Sequence, residues 1–124
     1  MFLTVIIPCY NESANLKRGV LRDVYKYLSG KMFSWEVLVS DDGSTDDSLA
    51  IASRYPITLL TQKNSGVCIA RNNALSLARG EFVMFLDADD RLVPTAVEHM
   101  LARLRAAPPE VGYVYGQMQY FGVK

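Results

Sequence analysis

The sequence predicts an α/β fold in which a mostly parallel central sheet lies between layers of helices. Short apolar segments rich in β-branched residues alternate with segments of helical period, and Pro or Gly stands where most of them end. Strands that alternate with helices through short connections form a parallel sheet covered on both faces. The 124 residues, half of them hydrophobic, suffice for a buried core, so we expect one domain over residues 1–124.

Strands are predicted from short apolar runs with many β-branched or aromatic residues. FLTVII is closed by Pro8, and EFVMFL runs directly into a group of acidic residues. VGYVYGQMQYF has the pattern of a last strand or strand pair. The predicted strands cover residues 2–7, 35–40, 57–61, 81–86 and 111–121.

Helices are predicted where apolar residues recur every three to four positions. The first is expected to end at Gly30, and Ser44 with Asp47 has the spacing of a capping box that would open the second. The third covers residues 66–79, and the fourth starts near Pro94. The inner face of the third helix is expected to consist of Ala70, Ala74, Leu77 and Ala78.

Charge and cysteine content restrict the classes of function. Lys plus Arg and Asp plus Glu both number 13, which argues against a nucleic-acid binder with a basic surface. Cys9 and Cys68 lack the spacing of a metal site, so we expect free thiols in a reducing compartment. No apolar run approaches the ~18 residues of a membrane span. We therefore expect a cytoplasmic protein that meets the inner face of a membrane only through parts outside this chain.

Polar residues collect where the predicted strands end. PCYNES follows the first strand, DDGSTDD the second, QKNSG the third and DADDR the fourth. In open α/β sheets, ligands bind at this edge. Turn chemistry accounts for the Gly, Ser and Asn residues, but not for two acidic groups at one edge, because like charges repel. The two groups are Asp41 with Asp42, and Asp87 with Asp89 and Asp90.

Two kinds of positive charge would stabilise these carboxylates. Mg²⁺ and Mn²⁺ prefer carboxylate and phosphate oxygens, so one or two Asp ligands and a diphosphate suffice. A zinc cage is poorly supported, because His99 is the single histidine. The other candidates are the basic side chains of Lys63, Arg71 and Arg91.

Four segments, in this order and spacing, resemble the family-two glycosyltransferases: VIIPCYNESANL, EVLVSDDGSTDDS, KNSGVCIARNNAL and GEFVMFLDADD. The resemblance runs from Leu3 to about Gly116. It implies the GT-A fold, a three-layer α/β/α, Rossmann-like arrangement of the nucleotide-diphospho-sugar transferase type. It also implies transfer of a sugar from a nucleotide-sugar, with UDP expected, to a hydroxyl of a glycan, lipid-linked or protein acceptor. Inversion at the sugar carbon is the expected outcome.

The resemblance implies nucleotide-binding roles for residues in the first two loops. Pro8, Tyr10 and Asn11 match the loop after the first strand, where the tyrosine lies near the nucleoside base. Asp41 and Asp42 match the acidic pair that recognises the base and the ribose, with Asp42 favoured for the base.

The resemblance assigns the remaining site residues to the last two loops. Arg71 and Asn72 match the block that lines the nucleotide pocket, which Lys63 flanks. Asp87-Ala88-Asp89 matches the D-x-D motif. Asp87 would face the ribose and be a secondary metal ligand, and Asp89 would hold Mn²⁺ or Mg²⁺ on the diphosphate.

The second half of the catalytic domain in this family supplies a carboxylate base and the acceptor site. Here Glu110 would lie at the start of a strand, the wrong end, so no catalytic residue is identified. We expect a donor-binding part that lacks the acceptor half and has little activity alone. The alternatives are a non-catalytic nucleotide-binding or assembly domain, and a sugar nucleotidyltransferase, which should carry a Gly-rich basic loop after the first strand. An uncovered last strand also favours a homodimer through residues 111–123.

Overall fold

A computed structural model describes residues 2–121 of the chain. Contacts divide it into two compact units, Met1–Arg91 and Leu92–Lys124. The first unit contains β1 (Leu3–Cys9), α1 (Ser13–Arg18), α2 (Val20–Ser29), β2 (Trp35–Asp41), α3 (Ser48–Ala52), β3 (Thr58–Thr61), α4 (Val67–Leu77) and β4 (Phe82–Phe85). The second contains α5 (Ala96–Ala106). Within residues 2–121, no helix combines the length and the apolar character that crossing a bilayer requires.

The predicted parallel sheet is confirmed. Its strand order is β3-β2-β1-β4, and all three pairings are parallel. β1 lies between two neighbours and is buried along its whole length. Since the strands run in one direction, their carboxyl ends meet at one edge, and the loops that follow β1, β2 and β4 lie there together.

Helices cover both faces of the sheet. Ile6 and Leu38 pack with Ala74 of α4 in one core cluster. Because side chains alternate along a strand, Val5 and Val39 lie on the opposite face. The helices α1–α3 supply that side with a set of buried apolar residues: Leu16, Leu21, Val24, Leu28, Ile51 and Ala52.

The first predicted helix is two helices in the structure. Gly19, at φ 97°, caps α1 and starts α2. Its left-handed backbone conformation is accessible to glycine without steric cost. Gly30 ends α2 as predicted.

The predicted capping box at Ser44 is wrong. α3 begins at Ser48, and the Ser44 hydroxyl donates to the Asp41 carboxylate instead. The cause is local competition, since a serine side chain in a turn bonds the nearest strong acceptor.

Two further expectations are corrected. Leu77, expected on the inner face of α4, is 53% exposed, whereas Ala70 and Ala74 are fully buried. Residues 111–121 do not form the predicted strand. A strand requires a neighbour for its main-chain groups, and no strand in the described range 2–121 pairs with this segment. Val123, the end of the predicted association surface, lies outside the described residues.

An ion pair between the buried Glu36 and the exposed Arg79 stabilises the amino-terminal edge of the sheet. Glu36, 8% exposed, accepts hydrogen bonds from the Thr4 hydroxyl at 2.7 Å and from the Arg79 main-chain N–H at 2.8 Å. The Arg79 guanidinium adds two bonds to its other oxygen, at 3.0 and 2.8 Å. Gly80 donates to the Thr4 hydroxyl, and a Cβ there would lie 2.5 Å from the Thr4 main-chain nitrogen. The chain can therefore pass this close only with glycine at position 80.

Candidate functional site: the carboxyl edge of the sheet

The loops after β1 and β2 are hydrogen-bonded to each other. Asn11 adopts φ 52°, a left-handed conformation that asparagine tolerates better than most residues. Its Oδ1 accepts from the Thr45 N–H at 2.8 Å, and its own N–H donates to the Ser44 Oγ at 2.9 Å. The Asn11 side chain, predicted to bind nucleotide, therefore joins the two loops.

The side chain of Asp41 forms hydrogen bonds within the loop that follows β2. It is buried, and its Oδ2 accepts from the N–H groups of Gly43 at 3.1 Å and Ser44 at 2.9 Å. Its Oδ1 accepts from the Ser44 hydroxyl. Gly43, at φ 80°, makes the tight turn available. Both oxygens of Asp41 are thus engaged in shaping the turn after β2.

Asp42 connects this edge to the start of α4. Its Oδ1 accepts from the Gln62 side chain at 2.8 Å and the Ser65 N–H at 2.7 Å, and its Oδ2 accepts from the Gly66 N–H at 2.9 Å. Gly66 is the residue that precedes α4. The Ser65 N–H, followed by the Gln62 and Gly66 donors, outweighs burial and holds the pKa of Asp42 below its usual value. The carboxylate is therefore ionised near neutral pH and fixes the loop before α4.

A network around Ser48 supports the same loops. Ser48 is fully buried, accepts from the Glu12 N–H at 2.9 Å and donates to Asp46. Asp46 also accepts from the main-chain N–H groups of Ser48 and Ser13. Burial disfavours the charged form of Asp46, but these bonds outweigh it and lower its pKa to about 2. The Asp46-Asp47-Ser48 triplet was the available signal, but sequence analysis used only Asp47, as part of the predicted capping box.

The environment of Cys9 does not activate its thiol as a nucleophile. Cys9 is buried and free, and Cys68 is exposed and free, as the sequence predicts. Burial, opposed by a Ser48 hydrogen bond and reinforced by the charge of Asp41, raises the pKa of Cys9 to about 11. The thiol therefore stays protonated near neutral pH and is a poor nucleophile.

The three acidic residues after β4 lie close to one another. One carboxylate oxygen from each of Asp87, Asp89 and Asp90 lies within 4.8 Å of the others. Ala88 is buried and anchors the turn, which the Asp90 N–H closes on the Asp87 carbonyl at 3.0 Å. Burial and then the charges of Asp89 and Asp87 raise the pKa of Asp90 above its usual value.

This donor set fits a hard divalent cation. The three groups are carboxylates, Asp89 and Asp90 are exposed and Asp87 is half-buried, so waters and phosphate oxygens have access to complete the coordination. Burial comes first among the causes that raise the pKa of Asp90, and the charges of Asp89 and Asp87 add to it, so repulsion within the cluster contributes to the shift. A cation at this position would relieve that repulsion.

Arg71 and Asp87 form an ion pair that sequence analysis did not predict. The Nη2 atom of Arg71 in α4 lies 2.7 Å from Oδ1 of Asp87. The side chains are 33% and 48% exposed, respectively. The Nε atom of Arg71 is buried and has no hydrogen-bond acceptor among residues 2–121. The structure therefore brings together two residues predicted to line one pocket.

The other predicted residues differ in burial. Pro8 is buried at the end of β1, and Tyr10 is 48% exposed just after it. Lys63 and Asn72 are exposed. The neighbouring Asn73, which sequence analysis missed, donates to Gln62 at 2.6 Å.

Known proteins resemble this chain in both sequence and fold. The model of glycosyl transferase family 2 matches residues 4–123. The glycosyltransferase YibD of Escherichia coli is 35% identical over 80% of this chain and 29% of its own length. Chondroitin synthase of Escherichia coli is 38% identical over 83% of this chain and 15% of its own length.

Two solved structures extend the likeness to the fold. The mannosyltransferase PcManGT from Pyrobaculum calidifontis, in complex with GDP-Man and Mn²⁺, is 30% identical with a TM-score of 0.73. The match covers 89% of this chain and 33% of that one. TarS of S. aureus in complex with UDP-GlcNAc is 32% identical with a TM-score of 0.63, covering 85% and 31%.

This chain thus spans a third or less of the length of these four relatives. The family match covers nearly all of its residues, and the parallel sheet with helices on both faces agrees with the solved neighbours. The chain belongs to glycosyl transferase family 2 and has the GT-A fold of the nucleotide-diphospho-sugar transferases.

Proposed function

We propose that this chain is the donor-binding part of an inverting glycosyltransferase that binds a UDP-sugar with Mn²⁺ or Mg²⁺. The observation that carries the proposal is the convergence of Asp87, Asp89 and Asp90 at the carboxyl edge of a parallel sheet. Solved relatives in complex with UDP-GlcNAc, or with GDP-Man and Mn²⁺, support it. Its acceptor is a hydroxyl of a glycan, a lipid-linked sugar or a protein. A cytoplasmic location at the inner face of a membrane stays a prediction.

The chain's own residues would hold the donor in a defined way. Asp89 is the main ligand proposed for the cation, because it is exposed, and Asp87, which is paired with Arg71, is the secondary one. Asp42 would face the base, and Arg71 with Asn72 would line the pocket. A bound divalent cation would neutralise charge on the diphosphate leaving group. Asp41 is proposed to act indirectly, since its oxygens already hold the turn.

Calorimetry with UDP tests this proposal. Binding should be strong with Mn²⁺ or Mg²⁺ and at least about ten-fold weaker with EDTA, the scale on which metal sites respond to lost ligands. Asp89→Asn should remove the effect of the metal while the far-UV circular dichroism stays unchanged. Asp23→Asn, which removes an exposed charge from α2, is the matched control and should bind as the wild type does.

Two results would contradict the proposal. UDP binding that is unaffected by EDTA removes the metal from the site. Unfolding of Asp89→Asn shows that its carboxylate is structural. Parallel titrations with GDP decide the base, and tighter binding of GDP would overturn the preference for UDP.

A further inference from the structure

Arg71 contacts Asp87 at a single point, although an arginine can form a two-bond contact with a carboxylate. Only the Nη2 atom donates to Asp87 in the hydrogen bonds of the described residues, at 2.7 Å. Arg79 shows the alternative within the same molecule, since its Nε and Nη2 both donate to Glu36. The Arg79 pair is a two-bond contact, whereas the Arg71 pair depends on one bond and is therefore easier to exchange for another anion.

The unused donor of Arg71 favours such an exchange. Its Nε is buried and finds no acceptor within the described part of the chain, and a buried donor without a partner costs free energy. The guanidinium would satisfy more of its donors on an anion that offers several oxygens on one side. A diphosphate is such an anion.

The partner of Arg71 is also a member of the acidic cluster. Asp87 contributes one of the three oxygens that lie within 4.8 Å of each other. While its charge is neutralised by the guanidinium, the cluster attracts a cation less strongly, and the nearby guanidinium adds repulsion. Arg71 and a cation therefore compete for binding to the Asp87 carboxylate.

We infer that Arg71 competes with the divalent cation for Asp87 and is released from Asp87 by the diphosphate, so that the cation and the nucleotide bind cooperatively. This inference rests on the proposed function and deepens it. It makes the empty site a weak cation site and the nucleotide-loaded site a strong one. By linkage, the cation must strengthen nucleotide binding by the same factor.

Binding of Mn²⁺ alone, followed by electron paramagnetic resonance of the free ion, tests the competition. Arg71→Met should bind Mn²⁺ about five-fold more tightly than the wild type, the upper range for an exposed ion pair. Arg54→Met, which removes a charge from an exposed site before β3, should leave the Mn²⁺ affinity unchanged. An unchanged or weaker affinity in Arg71→Met overturns the inference.

Addition of UDP tests the cooperativity. UDP should strengthen Mn²⁺ binding in the wild type and in Arg54→Met, and should do so by a smaller factor in Arg71→Met. An equal factor in all three proteins overturns the inference and leaves the proposed function standing. Absence of any metal-dependent UDP binding in the wild type overturns both.

A measurement on the wild-type chain tests the competition without a variant, in case Arg71→Met fails to fold. The nitrogen-15 resonance of the Arg71 Nε should shift when Mg²⁺ is added without nucleotide, because the cation displaces the guanidinium. The Arg79 Nε resonance is the internal control and should not move. A stationary Arg71 resonance at saturating Mg²⁺ contradicts the competition.

Discussion

At the scale of single residues, the carboxylates at the two edges of the sheet are used in different ways. Glu36, Asp41 and Asp46 accept hydrogen bonds from fixed protein donors and have little capacity left for a ligand. Asp89 and Asp90 are exposed, and the pKa of Asp90 is raised because burial and its acidic neighbours disfavour its charge. Hydrogen-bond satisfaction thus separates structural carboxylates from those available to a cation.

Glu36→Gln should destabilise the fold by about 1–3 kcal/mol, because the amide nitrogen that replaces Oε2 cannot accept the two hydrogen bonds that the Arg79 guanidinium donates to that oxygen. Urea unfolding at pH 7 measures this loss. The exposed Glu110→Gln is the matched control and should change the free energy of unfolding little. An equal effect of the two variants would show that the ion pair contributes nothing.

The effect of Glu36→Gln should also depend on pH. Burial opposes the charge of Glu36, but the donors from Arg79 and Thr4 outweigh it and hold its pKa below the usual 4.5. A lowered folded-state pKa gives stability that is complete above the unfolded value and is lost as the pH falls through the folded value. The difference between wild type and variant should therefore narrow below about pH 4.5. A difference that stays constant down to acid unfolding would contradict the role of the charge.

At the scale of secondary-structure elements, α4 determines how the site is built. Its amino end is fixed by Asp42, its second turn carries Arg71, and its buried alanines pack on β1 and β2. Small side chains permit this close approach of helix and sheet. Displacement of α4 would therefore move Arg71 relative to Asp87.

Ala74→Leu should destabilise the domain by about 1–3 kcal/mol, because Ala74 is fully buried between Ile6 and Leu38 and a larger side chain overpacks the contact. Urea unfolding measures the change. Ala102→Leu, at an exposed position of α5, is the matched control and should be close to neutral. A neutral result for Ala74→Leu would mean that this helix face tolerates expansion.

The sequence predicted the positions of secondary-structure elements better than it predicted the contacts between them. Hydrophobic period and Gly or Pro boundaries located β1 to β4 within a few residues, because those signals are local. The pattern of residues 111–121 resembled a strand, but no local pattern can supply the neighbouring strand that pairing requires.

For the candidate site, the sequence likewise indicated which residues lie near each other but not which side chains are in contact. The acidic cluster after β4 follows from sheet topology, whereas the Arg71–Asp87 contact depends on the register of α4 against β4. The inward turn of Asp41 could not be distinguished from a ligand-facing one, because two adjacent acidic residues at a strand end point to opposite sides.

At the scale of the whole molecule, exposed apolar side chains concentrate between Val111 and Phe121. Tyr115, Met118 and Tyr120 are 87%, 85% and 88% exposed. We expect concentration-dependent self-association through this segment, as a two-fold dimer. Light scattering over a range of concentrations measures it.

Substitutions identify the surface that associates. Tyr115→Ser combined with Met118→Ser should shift the equilibrium to monomer. Met32→Ser removes an equally exposed apolar side chain elsewhere and should not. A wild-type chain that stays monomeric at high concentration would disprove the prediction.

The chain should bind a donor but transfer little sugar. After Asp90 its acidic residues are Glu98, within α5, and Glu110, and neither follows a strand of the sheet at the edge where the donor is proposed to bind. Release of UDP from UDP-GlcNAc with an added sugar acceptor measures transfer, and calorimetry on the same sample verifies donor binding. Efficient transfer would show that the active site is complete within these residues. Metal-independent binding without transfer would favour the non-catalytic alternative.

The hydrogen bonds of Glu36, Arg79 and Gly80 at the amino edge of the sheet affect which parts of this fold can vary in sequence. The bonds that hold β1, β2 and the entry to β4 together lie at the opposite end of the strands from the loops that follow them. Loop sequences can therefore vary, and donor preference with them, while this edge keeps the framework in register. A library that randomises the loops after β3 and β4 and preserves these three positions should retain more folded members than one that randomises the amino edge.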